Sequence, residues 1–361
     1  MKRKQLVPLA AAAVAVAALA LAQLAAGATS ASGFRVVASG LANPRGIAIT
    51  PDGAVFVANA GAAGKRCQGQ GEQAMCVGFT GSIDRVANGQ RQRYAAGFLS
   101  GGGRDGSFSV GVDDVTISPA GEVFGIVTTP GPHPEQLGPE VAAQAGYVMR
   151  IERGRKTTVG ENVGAYEFAH NPAHDNLDSD PYALAWSPLG IAVADAAGNS
   201  LLLVGPSGRI SVLATFRAQK VTPKLWAQSV PTSVVWHDGA FYVGELGGGG
   251  LPNGKARVWR VDPATKRKTV VATGLTAITG LAFGPDGSMY VSELAKKGLE
   301  AAEKGDLTGA VIRISPSGAR TELAPGKLIA PAGVAVGADG TVYVATGSVF
   351  PQKGQLVAIS A

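Results

Sequence analysis

One short pattern returns six times along this chain, and few folds accept such a repeat. It reads PRGIAITPDGAVFVAN from Pro44, VDDVTISPAGEVFGIV from Val112, PYALAWSPLGIAVAD from Pro181, PTSVVWHDGAFYVGE from Pro231, ITGLAFGPDGSMYVSE from Ile278 and PAGVAVGADGTVYVAT from Pro331. The starts lie 68, 69, 50, 47 and 53 residues apart. Each copy reads as a β-branched strand, a tight turn of the Pro-Asp-Gly type and a second strand, because glycine supplies the positive φ that the turn needs. A third strand follows each hairpin, as in Ser82–Val86, Ser200–Val204 and Ala310–Ile314. A fourth follows in most copies, as in Lys268–Leu275 and Arg320–Ala324. Four antiparallel strands per unit, six times over, predict an all-β, six-bladed β-propeller.

The chain ends sharpen that expectation. The last copy stops after its third strand, while Phe34–Leu41 (FRVVASGL) nearly repeats the fourth-strand segment Thr269–Leu275 (TVVATGL). The N-terminal strand is therefore expected to complete the last blade and leave the ring without an open seam. First strands alternate large residues (Ile47, Val115, Leu184, Val234, Leu281, Val334) with mostly small ones, as packing toward a narrow axis requires.

Residues 1–31 carry Lys2, Arg3 and Lys4, then an Ala-rich apolar run from Leu6 to Leu24, then Ala26, Gly27 and Ala28. This is the pattern of a signal peptide cleaved near residues 28–31, with residues 32–361 forming one propeller domain. A secreted or periplasmic protein is expected, free of the membrane once cleaved; an uncleaved anchor is the alternative. Removing those three cations from the net charge of +6 leaves 29 Lys and Arg against 26 Asp and Glu, scattered rather than striped, which argues against a nucleic-acid partner. The chain is expected to be a monomer. The only two cysteines, Cys67 and Cys76, are read as a disulfide for an oxidising compartment.

The turns between first and second strands and between third and fourth are short, whereas the other two connection types vary widely. In an antiparallel blade those variable connections leave from one side, so the long loops share a face, and binding residues concentrate on such loops. Two columns mark its rim. Arg45, Asp113, Tyr182, Thr232 and Thr279 open strand one. Asn59, Asp195, Glu245 and Glu293 close strand two and, with Asp113, suggest oxygen ligands for Ca²⁺. The rival reading is that these side chains cap backbone amides. Asp114 and the polar segment Tyr166–Tyr182, with Glu167, His170, Asn171, Asp178 and Asp180, complete the expected ligand-binding set. His170 and His174 are four apart, but Pro172 between them argues against a helix that would present both. No nucleophile elbow, phosphate loop or dinucleotide fingerprint occurs.

Several stretches resemble the ScyD/ScyE family of exported NHL-like propellers: GVDDVTISPAG from Gly111, the Glu167–Tyr182 segment, QSVPTSVVWHDGAFYVGEL from Gln228, VWRVDP from Val258 and LAFGPDGSMYVSEL from Leu281. That resemblance implies a TolB-like six-bladed scaffold and no settled activity. His170, Asp180 and His237 depart from the residues expected of the family. Three functions follow as expectations. The first is a binding scaffold for a small molecule, glycan or protein. The second is a Ca²⁺-dependent lactone or ester hydrolase like the gluconolactonase and strictosidine-synthase-like propellers that the repeat also resembles. The third is a quinoprotein dehydrogenase, which would need a basic clamp that Arg45 alone scarcely provides.

Overall fold

The tight turns of the repeat set the architecture. In the first, the Gly53 amide donates to the Thr50 carbonyl at 2.9 Å with Gly53 at φ 83°, where a side chain would strain the backbone. Each such turn folds a strand back on itself, and the computed structural model, which describes residues 33–71, 74–152 and 154–360, places six four-stranded antiparallel blades around an axis. Residues 1–31, read as a signal peptide, lie outside the described residues. Among the latter, no helix is long and apolar enough to cross a membrane.

Strand one is innermost and strand four outermost. Blade 1 runs Pro44–Ile49, Val55–Asn59, Met75–Ala87 and Gln90–Gly103; blade 2 begins at Val112–Ile117, blade 3 at Pro181–Ser187, blade 4 at Pro231–His237 and blade 5 at Ile278–Phe283. Blade 6 comprises Val334–Val336, Val342–Thr346 and Gly354–Ile359, and its outer strand is Phe34–Leu41, paired from Phe34 opposite Ile359 to Leu41 opposite Gly354. The expected closure by the N-terminal strand is thus the one observed.

Blade 1 departs from the repeat. Its third and fourth strands have 13 and 14 residues, and the fourth continues to Gly103. The extension carries a further short strand, Arg66–Gln68, opposite Met75–Val77, with the expected disulfide joining the facing Cys67 and Cys76. Closing so short a loop stabilises it by roughly 2–3 kcal/mol on the chain-entropy argument.

Apolar side chains from the two faces of each blade fill the six spaces between neighbouring blades, as with Phe56, Ile83 and Phe98 against Val112, Val115 and Met149. At the rim, cations reach back to carbonyls of the preceding outer strand. Arg91 donates to Ser39 and Gly40 (2.8 and 3.0 Å), Lys156 to Ala96 and Gly97 (3.0 and 2.5 Å), Arg320 to Thr273 (2.6 Å), and Lys268 to Thr215. Four of the six junctions therefore carry a charge-assisted hydrogen bond, worth about 1.5–3 kcal/mol where sheltered.

Candidate functional site

The residues that open strand one are not ordinary ladder residues. In five blades the pairing of strands one and two skips a position after its first pair, and the skipped residues are Arg45 with Gly46, Asp113, Tyr182, Thr232 and Thr279. A β-bulge leaves its extra residue unpaired and re-aims the side chain. Here the bulges gather one column of side chains at the loop-side end of the axis.

Three of them meet there. The Arg45 guanidinium donates to the Ser109 carbonyl at 2.7 Å, lies 3.7 Å from an Asp113 carboxylate oxygen and 3.5 Å from the Tyr182 hydroxyl. Arg45 is 8% exposed and Asp113 fully buried, and Arg45 Nε has no hydrogen-bond partner. Asp180 joins through its field on Arg45 and accepts from the Thr128 hydroxyl at 2.7 Å. Burial pushes the Asp113 carboxyl up to about 7, against the opposing pull of Arg45. Burial raises Asp180 and Tyr182 as well. The result is a guanidinium, two carboxyls and a phenol, sheltered from water and loosely paired.

Beneath this cluster runs an axial channel of about 260 Å³, lined by strand one of all six blades and including Asp113, Asp114, Tyr182, Thr232 and Thr279. Asp114 spans blades inside it. One oxygen accepts from the Leu184 amide at 2.9 Å, and the other lies 1.6 Å from where a Cβ on Gly46 would sit. Burial raises Asp114 to about 7 although the Leu184 and Val115 amides pull it back. Thr232 and Thr279 spend their hydroxyls on the Ile278 and Pro331 carbonyls of the next blades (2.6 and 2.9 Å). These two are struts whose remaining surface faces the channel. At the far end, strand one of blades 3, 4 and 5 closes on Trp186, Trp236 and Phe283, which also line the channel.

The second column corrects an expectation. Asn59, Asp195, Glu245 and Glu293 do not converge on one centre, because each turns into its own blade, the last three to hold the incoming connection. Asn59 donates to Asp84 at 3.2 Å, beside Arg91 and Arg93. Asp195 accepts from the Ser179 hydroxyl and the Asp180 and Gly198 amides (2.6, 2.7 and 2.8 Å). Glu245 accepts from Ser229, Arg257 and the Trp259 indole, and Glu293 accepts from the Thr276 amide at 2.8 Å. In blades 3, 4 and 5 the partner lies two residues before strand one opens, so the column is a repeated clamp. Among the described residues no three His, Cys, Asp or Glu side chains are grouped to hold a metal ion. The four do not form the Ca²⁺ site expected of them.

The Tyr166–Tyr182 segment divides. Its start belongs to a helix, Val163–His170, that sequence reasoning took for loop; Asn162 caps it, accepting from the Ala165 amide at 2.9 Å, and Asn171 ends it at φ 40°. Glu167 faces inward, accepts from Ser200 at 3.0 Å and leaves Oε1 unpartnered; burial, and then the Asp195 charge, push it up to about 8. His170 stacks on Tyr166 at 4.1 Å, Asn171 turns onto Asp175, and Asp178 caps the Ser179 amide. None of these four has a bond to the axial cluster; only Asp180 and Tyr182 reach it. Sequence reasoning missed Ser109, Thr128 and the aromatic trio. The trio was visible as the strand-one endings LAW, VVW and LAF in three successive repeats.

Fold and site define a six-bladed propeller with a polar mouth on its axis. No family model matches the chain, and no curated protein matches its sequence. Among solved structures it is similar to a glucose dehydrogenase (TM-score 0.54, 14% identity, covering 91% of this chain and 100% of that one). It is also similar to the PQQ-bound aldose sugar dehydrogenase of Streptomyces coelicolor (0.54, 14%, 91% and 97%) and to the calcium-binding protein regucalcin of Agrobacterium tumefaciens (0.51, 13%, 91% and 93%). At these identities the likeness is one of fold.

Proposed function

We propose that this chain is an exported binding protein of the ScyD/ScyE type whose axial mouth receives a small polyhydroxylated or lactone-like molecule. The observation that carries this reading is the Arg45–Asp113–Asp180–Tyr182 cluster. Its guanidinium stands 3.5–3.7 Å from its phenol and carboxylate partners, with Nε unpaired, at the head of a channel. Apart from its 2.7 Å bond to the Ser109 carbonyl, Arg45 makes no close contact, and a buried arginine held for stability alone would be expected to pair more tightly with its carboxylate. A ligand offering both hydrogen-bond donors and acceptors would satisfy guanidinium and carboxyls together. A glycan terminus has the same chemistry, and a protein partner would present it through a surface side chain.

One observation favours a hydrolytic variant. An Asp113 carboxyl near pH 7 suits a general base for lactone or ester hydrolysis. The strand-two column does not supply Ca²⁺ to that chemistry. An anionic quinone cofactor would meet Asp113 and Asp114 around a single arginine already bound to Ser109, so the residues do not fit a quinoprotein.

The test is a thermal-shift panel of monosaccharides and aldonolactones on the mature protein and on Asp113→Asn and Arg45→Gln, followed by turnover assays on any hit. Stabilisation lost in both variants supports the mouth as the site. Turnover lost in Asp113→Asn selects the hydrolase. No stabilisation by any panel member, or binding that persists in both variants, overturns the reading.

A further inference from the structure

A second, more open cavity lies away from the axis. A cleft of about 410 Å³ opens between the disulfide-bearing hairpin of blade 1 and the insertion of blade 2 that holds the short helical turns Pro134–Leu137 and Pro139–Ala142. Arg66, Phe79, Gly97, Glu140 and Gln144 line it. Both walls are departures from the six-fold repeat, so the propeller does not need them to close its ring.

The cleft is built firmly. Gln144, at its floor, is 9% exposed and spends its amide on blade 1, accepting from the Leu99 amide at 3.1 Å and donating to the Gly97 carbonyl at 3.2 Å. Lys156 donates to the same carbonyl. The Cys67–Cys76 disulfide braces the hairpin that carries Arg66. Arg66 donates to the Leu137 carbonyl at 3.0 Å, which ties one wall to the other, and its guanidinium lies 5.8 Å from the centre of the half-buried Phe79 ring. That bond uses one of five guanidinium donors.

Opposite charges flank the opening without joining. Arg66 Nη1 and Glu140 Oε2 lie 3.4 and 3.2 Å from the point where Gly138 would carry a Cβ, yet they form no ion pair with each other. Cation, anion and aromatic ring thus line the same cleft, with the two charges unpaired.

We propose that this cleft binds a free α-amino acid with an apolar side chain. Its carboxylate takes the guanidinium edge of Arg66, its ammonium takes Glu140, and its side chain lies along Phe79 above the spent amide of Gln144. A monocarboxylate or a monoamine satisfies only one of the two charges. The cleft volume falls in the ordinary range for small-molecule sites of about 300–1,000 Å³. This inference is independent of the axial mouth.

Calorimetric titration of the full mature chain with L-phenylalanine and L-leucine tests it, with 3-phenylpropionate and phenethylamine as single-charge controls. Saturable one-to-one binding of an amino acid is expected, about tenfold or more tighter than either control. Glu140→Gln should weaken L-phenylalanine to the level of 3-phenylpropionate and leave the latter unchanged, and Arg66→Gln should remove both. Arg66 and Glu140 are exposed, so the variants should melt as the parent does, and the control ligands test the idea without any variant. Absence of saturable binding, controls as tight as the amino acids, or binding that survives Arg66→Gln overturns the proposal.

Discussion

The two ends of the propeller use the same acidic side chain in opposite ways. At the tight-turn end, hydrogen bonds from turn groups hold exposed or half-exposed carboxylates low: Thr50 for Asp52, the Thr265 amide for Asp262 and the Thr341 amide for Asp339. There the Ser288 amide, helped by Arg313, holds Asp286 at about 2. At the loop end, burial raises Asp113, Asp114, Asp180, Asp195, Glu167 and Glu293. The exception there is Asp306, half-buried and held low by Lys297. One end spends its carboxyls on making turns in water. The other shelters them, and burial raises their pKa values. Apolar exposure is divided the same way: Phe108, Leu177, Leu225, Trp226 and Ile329 stand out on inter-blade connections of the loop end, against Leu189 on a tight turn.

The contrast is tested most severely by removing one arginine from each end. Arg45→Met leaves Asp113 and Asp180 to take up protons beside an apolar chain, and should destabilise the protein by about 2–3 kcal/mol through the lost charge-assisted hydrogen bonds. Arg313→Met frees Asp286 into water and should leave the urea midpoint unchanged. Similar midpoints for the two variants would break the distinction between the ends.

The ring was legible in the repeat, and the seam in the likeness of Phe34–Leu41 to Thr269–Leu275, because turn chemistry and strand alternation are local and survive in a linear string. The polarity of the ring followed from loop lengths alone. The meeting of Arg45, Asp113 and Tyr182 was half legible. The repeat aligned them as a column, but the bulge that lifts them out of the ladder is a pairing defect between two strands and leaves no residue signature. The Asn59, Asp195, Glu245 and Glu293 column shows the converse. It aligned as well, yet each side chain bonds within its own blade. A column in a repeat marks equivalent positions, and equivalence does not distinguish a shared centre from a clamp made once per blade. The helix at Val163–His170 was hidden because His170, Asn171 and Pro172 invite a loop reading, although Asn162 is a cap in plain view.

A smaller effect separates the ends through glycine. A methyl on Gly46 would meet Asp114 Oδ1 at 1.6 Å and the Asp114 Cα at 2.8 Å, so backbone as well as side chain must move. Gly46→Ala should therefore cost about 1–3 kcal/mol by overpacking. Gly53, in the first tight turn, has nothing within 4 Å of such a methyl, and only its φ of 83° resists. Gly53→Ala should cost about 1 kcal/mol, the penalty of a side chain in the left-handed region. An equal or reversed order in chemical denaturation would show that the axial strands are looser than the turns.

The smallest effect is the pH profile, and its sign follows from the same division. A carboxyl with a raised folded pKa binds more protons folded than unfolded between its ordinary value and the raised one, so stability falls as pH rises through that window. For Asp113, Asp114 and Asp195 at about 7, and Glu167 at about 8, the window runs from roughly pH 4 to 8. Asp286 at about 2 acts in the opposite direction, losing its contribution as pH falls from about 4 toward 2. Asp52, Asp262 and Asp339 follow it in direction. Stability should therefore peak near pH 4–5, with the melting temperature about 2–4 °C lower at pH 8, the equivalent of about 1 kcal/mol once relaxation and water entry have softened the burial cost. Asp286→Asn should blunt the acid limb alone, and Asp114→Asn the alkaline limb alone, whatever each does to the maximum. A melting temperature that rises steadily from pH 5 to 8 would mean that the loop-end carboxyls are hydrated, and the division between the two ends would then be one of loop length only.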